Sequence, residues 1–198
     1  QYCAALGSGI TRPGQLLIAT GTAWVLFGVT GQAEFSELHA APGVFPNICG
    51  SRNEPKYGVI AALSGIGASV ERYAVLNGRS LSDSDAEAAR LLQSNLTSDR
   101  AYTPFSPCED GRGFLPHTAG TGIVFDKLAD AEYTQKYLGL LEGAAFETLA
   151  AAEKIHAGKD LSLVMSGGAA RSSLWRNIVA SATASQGWRL AVSTERDA

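Results

Sequence analysis

A run of 21 residues without a charge, from Pro13 to Ala33, sets the first limit on the fold of this chain. A helix that spans a membrane needs about 20 mostly apolar residues, so the length alone would allow one. The run is interrupted near its centre by Thr20-Gly21-Thr22, however, and a Gln lies near each end. The apolar stretches 16–19 and 23–29 fit two buried strands joined by a tight turn. We therefore predict a β-hairpin within residues 15–30 and no membrane partner.

The composition is that of a folded protein with a nearly balanced surface charge. Apolar residues make up 45% and charged residues 18%, so a large core can form. Sixteen Lys and Arg against nineteen Asp and Glu leave a net charge of −3. This argues against a nucleic-acid partner, because such proteins need a basic face. The cysteines Cys3, Cys49 and Cys108 are widely spaced, so we expect reduced thiols in a cytoplasmic protein and no zinc site. The oligomeric state is left open, a homodimer included.

Strand and helix patterns alternate along the rest of the chain. The segment ASVERYAVL predicts a helix that ends near Asn77, and Ser82 is the predicted N-cap of a helix to about Leu96. The longest helical pattern runs from Asp130 to about His156. Further strands are predicted at 34–40, 114–117, 161–165 and 190–193, a last helix at 172–185, and either element at 57–63. With no linker or repeat, the pattern predicts a single α/β domain over 1–198.

Familiar catalytic signatures are missing from the sequence. It contains no G-x-x-x-x-G-K-[ST] phosphate loop, no complete G-x-G-x-x-G, no G-x-S-x-G and no H-E-x-x-H. The three histidines, His39, His117 and His156, lie far apart in sequence. Each is more simply interpreted as a structural or surface residue than as a ligand.

Three glycine-bearing turns are the candidate binding elements instead. Gly21-Thr22 lies at the tip of the predicted hairpin, where backbone amides and a hydroxyl can donate to a phosphate. Gly67 precedes a helix, and the first amides of a helix attract anions. Gly167-Gly168 follows a buried strand, at the edge where ligands of α/β proteins bind. Each turn also has an ordinary structural interpretation, as a hairpin turn, a helix cap or a strand–helix connection.

The order and spacing of these turns resemble the C-terminal domain of the FGGY carbohydrate kinases, which belong to the actin-like ATPase superfamily. Four segments carry the resemblance: QYCAALGSGITRPGQLLIATGTAWVL, YGVIAALSGIGASVERY, LEGAAFETL and LSLVMSGGAARSSLWRNIVASATA. The resemblance spans almost the whole chain and is weakest over 31–56 and 97–128. It implies an actin-like, ribonuclease H-like fold, with a mixed sheet flanked by helices. The chain would then be the C-terminal nucleotide-binding lobe of a two-lobe kinase, whose N-terminal lobe is absent from the chain.

The resemblance also implies a reaction, in which the γ-phosphate of ATP is transferred, with Mg²⁺, to a hydroxyl of a sugar or polyol. A ketose such as xylulose or ribulose is the favoured substrate class. By position, Gly21 and Thr22 would approach the β- and γ-phosphates. Gly67 would lie near the nucleotide, with Glu71 one helical turn further on.

The remaining positions carried over from the family concern the nucleoside and the substrate. Gly167, Gly168 and Ser172 would flank adenine and ribose. Gln1 matches the residue that follows the family's catalytic Asp and touches the substrate. That Asp would precede Gln1, so no catalytic residue and no metal ligand is assigned within the chain. The resemblance therefore implies that the chain is inactive without its N-terminal lobe.

Two departures from the family pattern keep an alternative open. The usual Gly-Thr-Ser reads Gly-Thr-Ala here, with Ala23 in the third place, and HTAGTG follows Pro116 where the family has a Gly-Glu-Arg-x-Pro-like stretch. The alternative is a non-catalytic nucleotide-binding switch or scaffold of the same superfamily. An unrelated α/β binding module is the third reading.

Overall fold

The residues that the structure describes form one sheet of six strands. The computed structural model describes residues 2–30, 44–46, 56–63, 65–94, 132–155 and 160–193. Within these ranges the strand order is β3-β4-β2-β1-β5-β6. The strands are β1 (Gln15–Thr20), β2 (Trp24–Thr30), β3 (Val44–Pro46), β4 (Tyr57–Leu63), β5 (Ser162–Gly167) and β6 (Arg189–Val192).

The sheet is mixed, and its parallel half brings distant parts of the chain together. β1, β2, β4 and β3 pair antiparallel, whereas β1, β5 and β6 pair parallel. In the β1–β5 register Thr20 lies opposite Gly167, so the two strands end side by side. The hairpin tip after β1 and the Gly167-Gly168 turn therefore leave the sheet at the same edge.

Helices cover both faces of this sheet. They are α1 (Tyr2–Gly7), α2 (Ile66–Leu76), α3 (Leu81–Gln93), α4 (Tyr133–Ile155), α5 (Gly168–Arg171) and α6 (Ser173–Ser185). Alternate residues of a strand face opposite sides. In β1, Leu16 and Ile18 accordingly belong to a large hydrophobic cluster shared with α2, α4 and α6. Leu17 belongs to a small cluster with Ala5 of α1 and Phe27 of β2.

The predicted α/β pattern is confirmed in most of its elements. The hairpin within 15–30 is present, 57–63 is a strand, and the helix before Asn77 ends at Leu76. The longest helix begins at Tyr133, three residues later than predicted. The predicted strands at 34–40 and 114–117 lie outside the described residues.

The predicted N-cap of α3 was wrong by two residues. Ser80, not Ser82, has the extended backbone of a cap, with φ −84° and ψ 158°. Its side-chain oxygen accepts a hydrogen bond from the Asp83 amide at 3.1 Å, so it satisfies one of the free donors of the first turn. The helix accordingly spans Leu81–Gln93. Within the described parts of the chain, no helix has both the length and the hydropathy that a membrane span requires.

Candidate functional site

A cavity of about 390 Å³ lies where β1 and β5 end. Five parts of the chain contribute to its lining: the hairpin tip, the start of α2, the first turns of α3, the start of α4 and the connection from β5 to α6. The exposed residues Gly21, Thr22 and Gly168 lie at its mouth. The three turns singled out from the sequence therefore share one cavity.

The hairpin tip and the start of α2 are held in direct backbone contact. The Ala68 amide donates a hydrogen bond to the carbonyl oxygen of Thr22 at 3.0 Å. A β-carbon on Gly67 would overlap the carbonyl oxygen of Gly21 and lie 3.1 Å from that of Thr22. The position thus requires glycine because of a close backbone approach, and the contact fixes the hairpin tip relative to α2.

Thr20 anchors the turn that follows β5. Its hydroxyl is buried, donates to the Ser166 carbonyl at 2.6 Å and accepts from the Ala169 amide at 3.1 Å. Gly167 has φ +92°, a conformation that favours glycine, and a β-carbon there would overlap the Thr20 carbonyl oxygen. The turn therefore lies flat against the end of β1, and Gly168 is left exposed beside the cavity.

Asp85 of α3 forms a polar cluster with two residues from other elements. The Tyr137 hydroxyl donates to one carboxylate oxygen at 2.8 Å, and the Ser172 hydroxyl donates to the other at 2.6 Å. All three residues line the cavity. Burial, and to a smaller extent the Asp85 carboxylate, raise the pKa of Tyr137 above its ordinary value, so the phenol keeps its proton.

Aromatic and apolar side chains form the rest of the cavity wall. The rings of Trp24 and Trp175 contact each other with centroids 4.9 Å apart and planes inclined at 52°. Val70 and Leu81 add apolar surface. Ser172 caps α6 by accepting from the Trp175 amide at 3.4 Å, so one serine positions both the helix and the tryptophan beside the cavity. A mostly apolar lining with a few placed polar groups is typical of small-molecule sites.

A second layer of contacts lies behind Asp85, where α2, α3 and α4 meet. Tyr73 and Tyr133 stack with centroids 5.3 Å apart, and the Arg79 guanidinium lies 4.4 Å from the centre of the Tyr133 ring. Arg79 also forms an ion pair with Glu87. Burial, with a smaller effect of Tyr133, raises the pKa of Tyr73 to about 12. Hydrogen bonds from Arg79 and then from Thr134 hold the pKa of Glu87 below its ordinary value.

The structure brings together most of the residues that the resemblance assigned to the nucleotide. Those lining the cavity are Gly21, Thr22, Gly67, Glu71, Gly168 and Ser172. Gly167 does not line it and lies beneath the turn, against Thr20. Gln1, assigned to the substrate, lies outside the described residues.

Asp85 and Tyr137 line the cavity, but no motif in the sequence assigns them to a site. In the sequence, Asp85 is an ordinary acidic residue near a helix start, and Tyr137 is part of an apolar helical face. The partners of Asp85 are 52 and 87 residues away in sequence, so no local pattern could reveal the cluster. In the part of the chain that the structure describes, no group of three or more His, Cys, Asp or Glu is arranged to hold a metal ion.

The model of the FGGY family of carbohydrate kinases, C-terminal domain, matches residues 16–193. No protein of curated function matches the sequence.

Solved structures share the fold at low identity. A glycerol kinase from Plasmodium falciparum with ADP superimposes with a TM-score of 0.72 at 19% identity, over 100% of this chain and 38% of its own. Xylulose kinases from Brucella ovis and Rhodospirillum rubrum give TM-scores of 0.66 and 0.62 at 21% and 20% identity, each over 98% of this chain. The chain spans 38% of the length of each of these kinases. The predicted fold, an actin-like ATPase domain with a mixed sheet flanked by helices, is confirmed.

Proposed function

We propose, because this chain belongs to the FGGY family of carbohydrate kinases, that it is the nucleotide-binding lobe of an enzyme that phosphorylates a hydroxyl of a sugar or polyol with ATP. The observation that carries the proposal is the convergence of the three turns at Thr22, Gly67 and Gly168 on one cavity. We also propose that the enzyme has an N-terminal lobe and that this lobe contributes to the sugar site.

The hairpin tip supplies the features that a polyphosphate needs. Gly21 and Thr22 are exposed at the mouth of the cavity, so a hydroxyl and unhindered backbone can approach phosphate oxygens. Gly67 lies in the first turn of α2, a helix of 11 residues whose N-terminal end has a positive dipole. In this proposal the β- and γ-phosphates lie between these two elements. Phosphoryl transfer depends mainly on such positioning and charge stabilisation.

The β5–α6 side of the cavity fits a nucleoside. Gly168 leaves room for a flat group against the backbone, and the apolar wall formed by Trp24, Val70 and Trp175 suits a base or ribose ring. Ser172 lies beside this wall and offers a hydroxyl oxygen. The solved glycerol kinase with ADP, which shares the fold, makes a nucleotide a reasonable ligand to test first.

The residues of the cavity are compatible with a Mg²⁺ ion that is held mainly by the phosphates of the nucleotide. Mg²⁺ is usually held by one or two carboxylates together with substrate phosphates and water, so a dedicated protein cluster is not needed. Among the described residues that line the cavity, the carboxylates are Glu71 and Asp85, and Glu71 is the exposed one. When bound, the ion would neutralise negative charge on the phosphates.

The acceptor chemistry belongs to residues outside those described. We propose that the base is an Asp immediately before Gln1, that Gln1 touches the substrate, and that the N-terminal lobe supplies most sugar contacts. A ketose is favoured, and the xylulose kinases among the structural neighbours support that choice. A cytoplasmic location belongs to the same proposal. The chain alone is then expected to bind nucleotide weakly and to transfer no phosphate.

Calorimetric titration of the chain with ATP and Mg²⁺ tests nucleotide binding. Gly168→Asp should reduce the affinity tenfold or more, on the order of 1.4 kcal/mol, because a carboxylate would crowd and repel the ligand. Gly168→Ala is the matched control, since its β-carbon would lie 3.7 Å from the Thr20 carbonyl oxygen, an ordinary contact. Normal ATP binding by Gly168→Asp would show that the nucleotide lies elsewhere.

A kinase assay separates the proposed enzyme from a nucleotide-binding switch. Ala23, exposed at the hairpin tip where the resembled family has a serine, favours the switch as the second candidate function. The chain joined to its N-terminal lobe should phosphorylate at least one member of a panel of ketoses and polyols. Tight nucleotide binding without transfer to any of them would favour the switch.

A further inference from the structure

The hydrogen bonds around Asp85 all point inward, toward the carboxylate. Tyr137 and Ser172 each have one hydroxyl proton, and both protons are donated to Asp85, at 2.8 and 2.6 Å. An ionised carboxylate has no proton to donate. The cluster therefore has no hydroxyl donor left for a ligand, and only oxygen lone pairs face the cavity.

The remaining lone pairs of the Asp85 carboxylate are placed to accept hydrogen bonds from a ligand. A carboxylate has about four acceptor positions, of which these two bonds occupy two. Asp85 is half-buried, lines the cavity and forms no ion pair among the described residues. A negative charge that is partly removed from water accepts hydrogen bonds more strongly than a neutral oxygen does. Tyr137 supports this arrangement, because its raised pKa keeps it a donor to Asp85 at ordinary pH.

The charge of Asp85 also determines which part of a nucleotide can lie beside it. A carboxylate repels phosphate, so the phosphates are excluded from this side of the cavity and remain near the hairpin tip. The same cavity is lined by Leu81, one helical turn before Asp85 on α3, and by Trp175, whose amide bonds Ser172, and both offer apolar surface to a ring. A base meets both requirements of this side of the cavity. Its ring can contact the apolar surface, and a hydrogen-bond donor on its edge can bond to the carboxylate.

We propose that Asp85 is the residue that determines base specificity, by accepting a hydrogen bond from the 6-amino group of adenine. This inference rests on the proposed nucleotide-binding function. Hypoxanthine has an oxygen in place of that amino group, and a cluster that offers only acceptors repels it. Sites built to bond a polar group reject analogues that lack it, because a buried partner is left unpaired. The site should therefore prefer ATP to ITP.

The first experiment uses the unaltered chain and changes only the ligand. Calorimetric affinities are compared for ATP, for ITP and for purine riboside triphosphate, which has no substituent at position 6. The 2′-deoxy and 3′-deoxy forms of ATP are measured beside them as controls for contacts to the ribose. We expect ITP and the purine compound to bind about tenfold more weakly than ATP, or worse. Equal affinities for the three would overturn the proposal, and so would a loss of affinity seen only with 2′-deoxy- or 3′-deoxy-ATP, which would assign the carboxylate to the ribose.

The second experiment changes Asp85 itself. Asp85→Asn has nearly the same shape but adds an amide donor, so ATP should bind more weakly and the ratio of the ATP and ITP affinities should fall toward one. Asp83→Asn is the control, since Asp83 is exposed two residues earlier on α3 and does not line the cavity. It should keep the ratio of the unaltered chain. A thermal melt of each variant shows whether it is folded.

The outcomes distinguish the two proposals. Failure of the unaltered chain to bind any of the triphosphates overturns the proposed function and this inference together. Preference for ATP that is unchanged in folded Asp85→Asn overturns the inference alone. If Asp85→Asn does not fold, the ligand series on the unaltered chain still decides.

Discussion

The carbonyl oxygen of Gly21 occupies the place where a β-carbon of Gly67 would be. Gly67→Ala should therefore force the hairpin tip and α2 apart. We expect it to lower the free energy of unfolding by about 1–3 kcal/mol, the usual range for overpacking. The proposed nucleotide binding should weaken as well, because both elements line the cavity. Urea unfolding measures the first effect and calorimetry the second.

Gly21→Ala is the matched control for this prediction. Around a β-carbon on Gly21 the nearest atom is the Ala23 carbonyl oxygen at 3.6 Å, so the substitution meets only ordinary contact. Its stability should remain within about 0.5 kcal/mol of the unaltered chain. Equal stability of Gly67→Ala and Gly21→Ala would contradict the close approach described above.

Thr20→Val should loosen the turn that carries Gly167 and Gly168. The substitution keeps the shape of the side chain but removes the hydroxyl that bonds Ser166 and Ala169. The half-buried amide of Ala169 would lose its acceptor, so the free energy of unfolding should fall by about 1–3 kcal/mol. Thr20→Ser keeps the hydroxyl and should lower the free energy of unfolding less than Thr20→Val does. The contrary result, in which serine is no better than valine, would assign the effect to packing.

Substitutions at Ser80 and Ser82 test which of the two serines caps α3. Ser80→Ala removes the acceptor for the Asp83 amide and should destabilise the protein by about 1 kcal/mol. Ser82 lies inside the helix and is exposed, so Ser82→Ala should change stability by no more than about 0.5 kcal/mol. Melting temperatures measured side by side decide between them. A larger loss for Ser82→Ala would restore the sequence-based assignment of the cap.

The ion pair between Arg79 and Glu87 predicts a dependence of stability on pH. The pKa of Glu87 is lower in the folded protein than its ordinary value, so the unfolded chain binds the proton more readily. The stabilisation is then complete above the ordinary pKa of a glutamate, about 4.3, and is lost as the pH falls through the lower folded value. The stability difference between the unaltered chain and Glu87→Gln should be present at neutral pH and should shrink in acid.

Thermal melts across this pH range provide the measurement. Glu153→Gln, at an exposed glutamate of α4, serves as the control and should leave stability unchanged throughout. Added salt should also reduce the Glu87 effect, because the pair is accessible to solvent and its charges are screened. A difference for Glu87→Gln that stays constant with pH would show that the ion pair contributes nothing to stability.

The sequence could predict those parts of the structure that depend on local patterns. The hairpin follows from two apolar runs around Thr20-Gly21-Thr22, and its turn is where a tight connection needs small residues. Gly67 and Gly168 could be singled out because glycine marks backbone approach. The cap of α3 could not be settled, since serines stand at both 80 and 82 and the choice depends on which of them has the extended backbone that precedes the helix.

Asp85 shows what lies beyond local patterns. Its position on α3 is ordinary, and its role arises only when α3 packs against α4 and α6. That packing brings the hydroxyls of residues 137 and 172 to the Asp85 carboxylate. Their spacing in the sequence does not predict this contact. Both hydroxyls donate their protons to one carboxylate. This arrangement depends on how three helices are oriented relative to one another.

The parallel pairing of β1 with β5 has a consequence for biosynthesis. The hydroxyl of Thr20 finds its carbonyl partner 146 residues further along the chain, so an early part and a late part of the polypeptide meet. While the ribosome is still adding residues before Gly167, the emerging protein lacks the part of the cavity wall that Gly168, Ser172 and Trp175 contribute. Closing so long a loop is entropically unfavourable and slows folding. The complete cavity thus forms only once translation has passed the second of the two strands, and products that end before it lack part of the cavity wall.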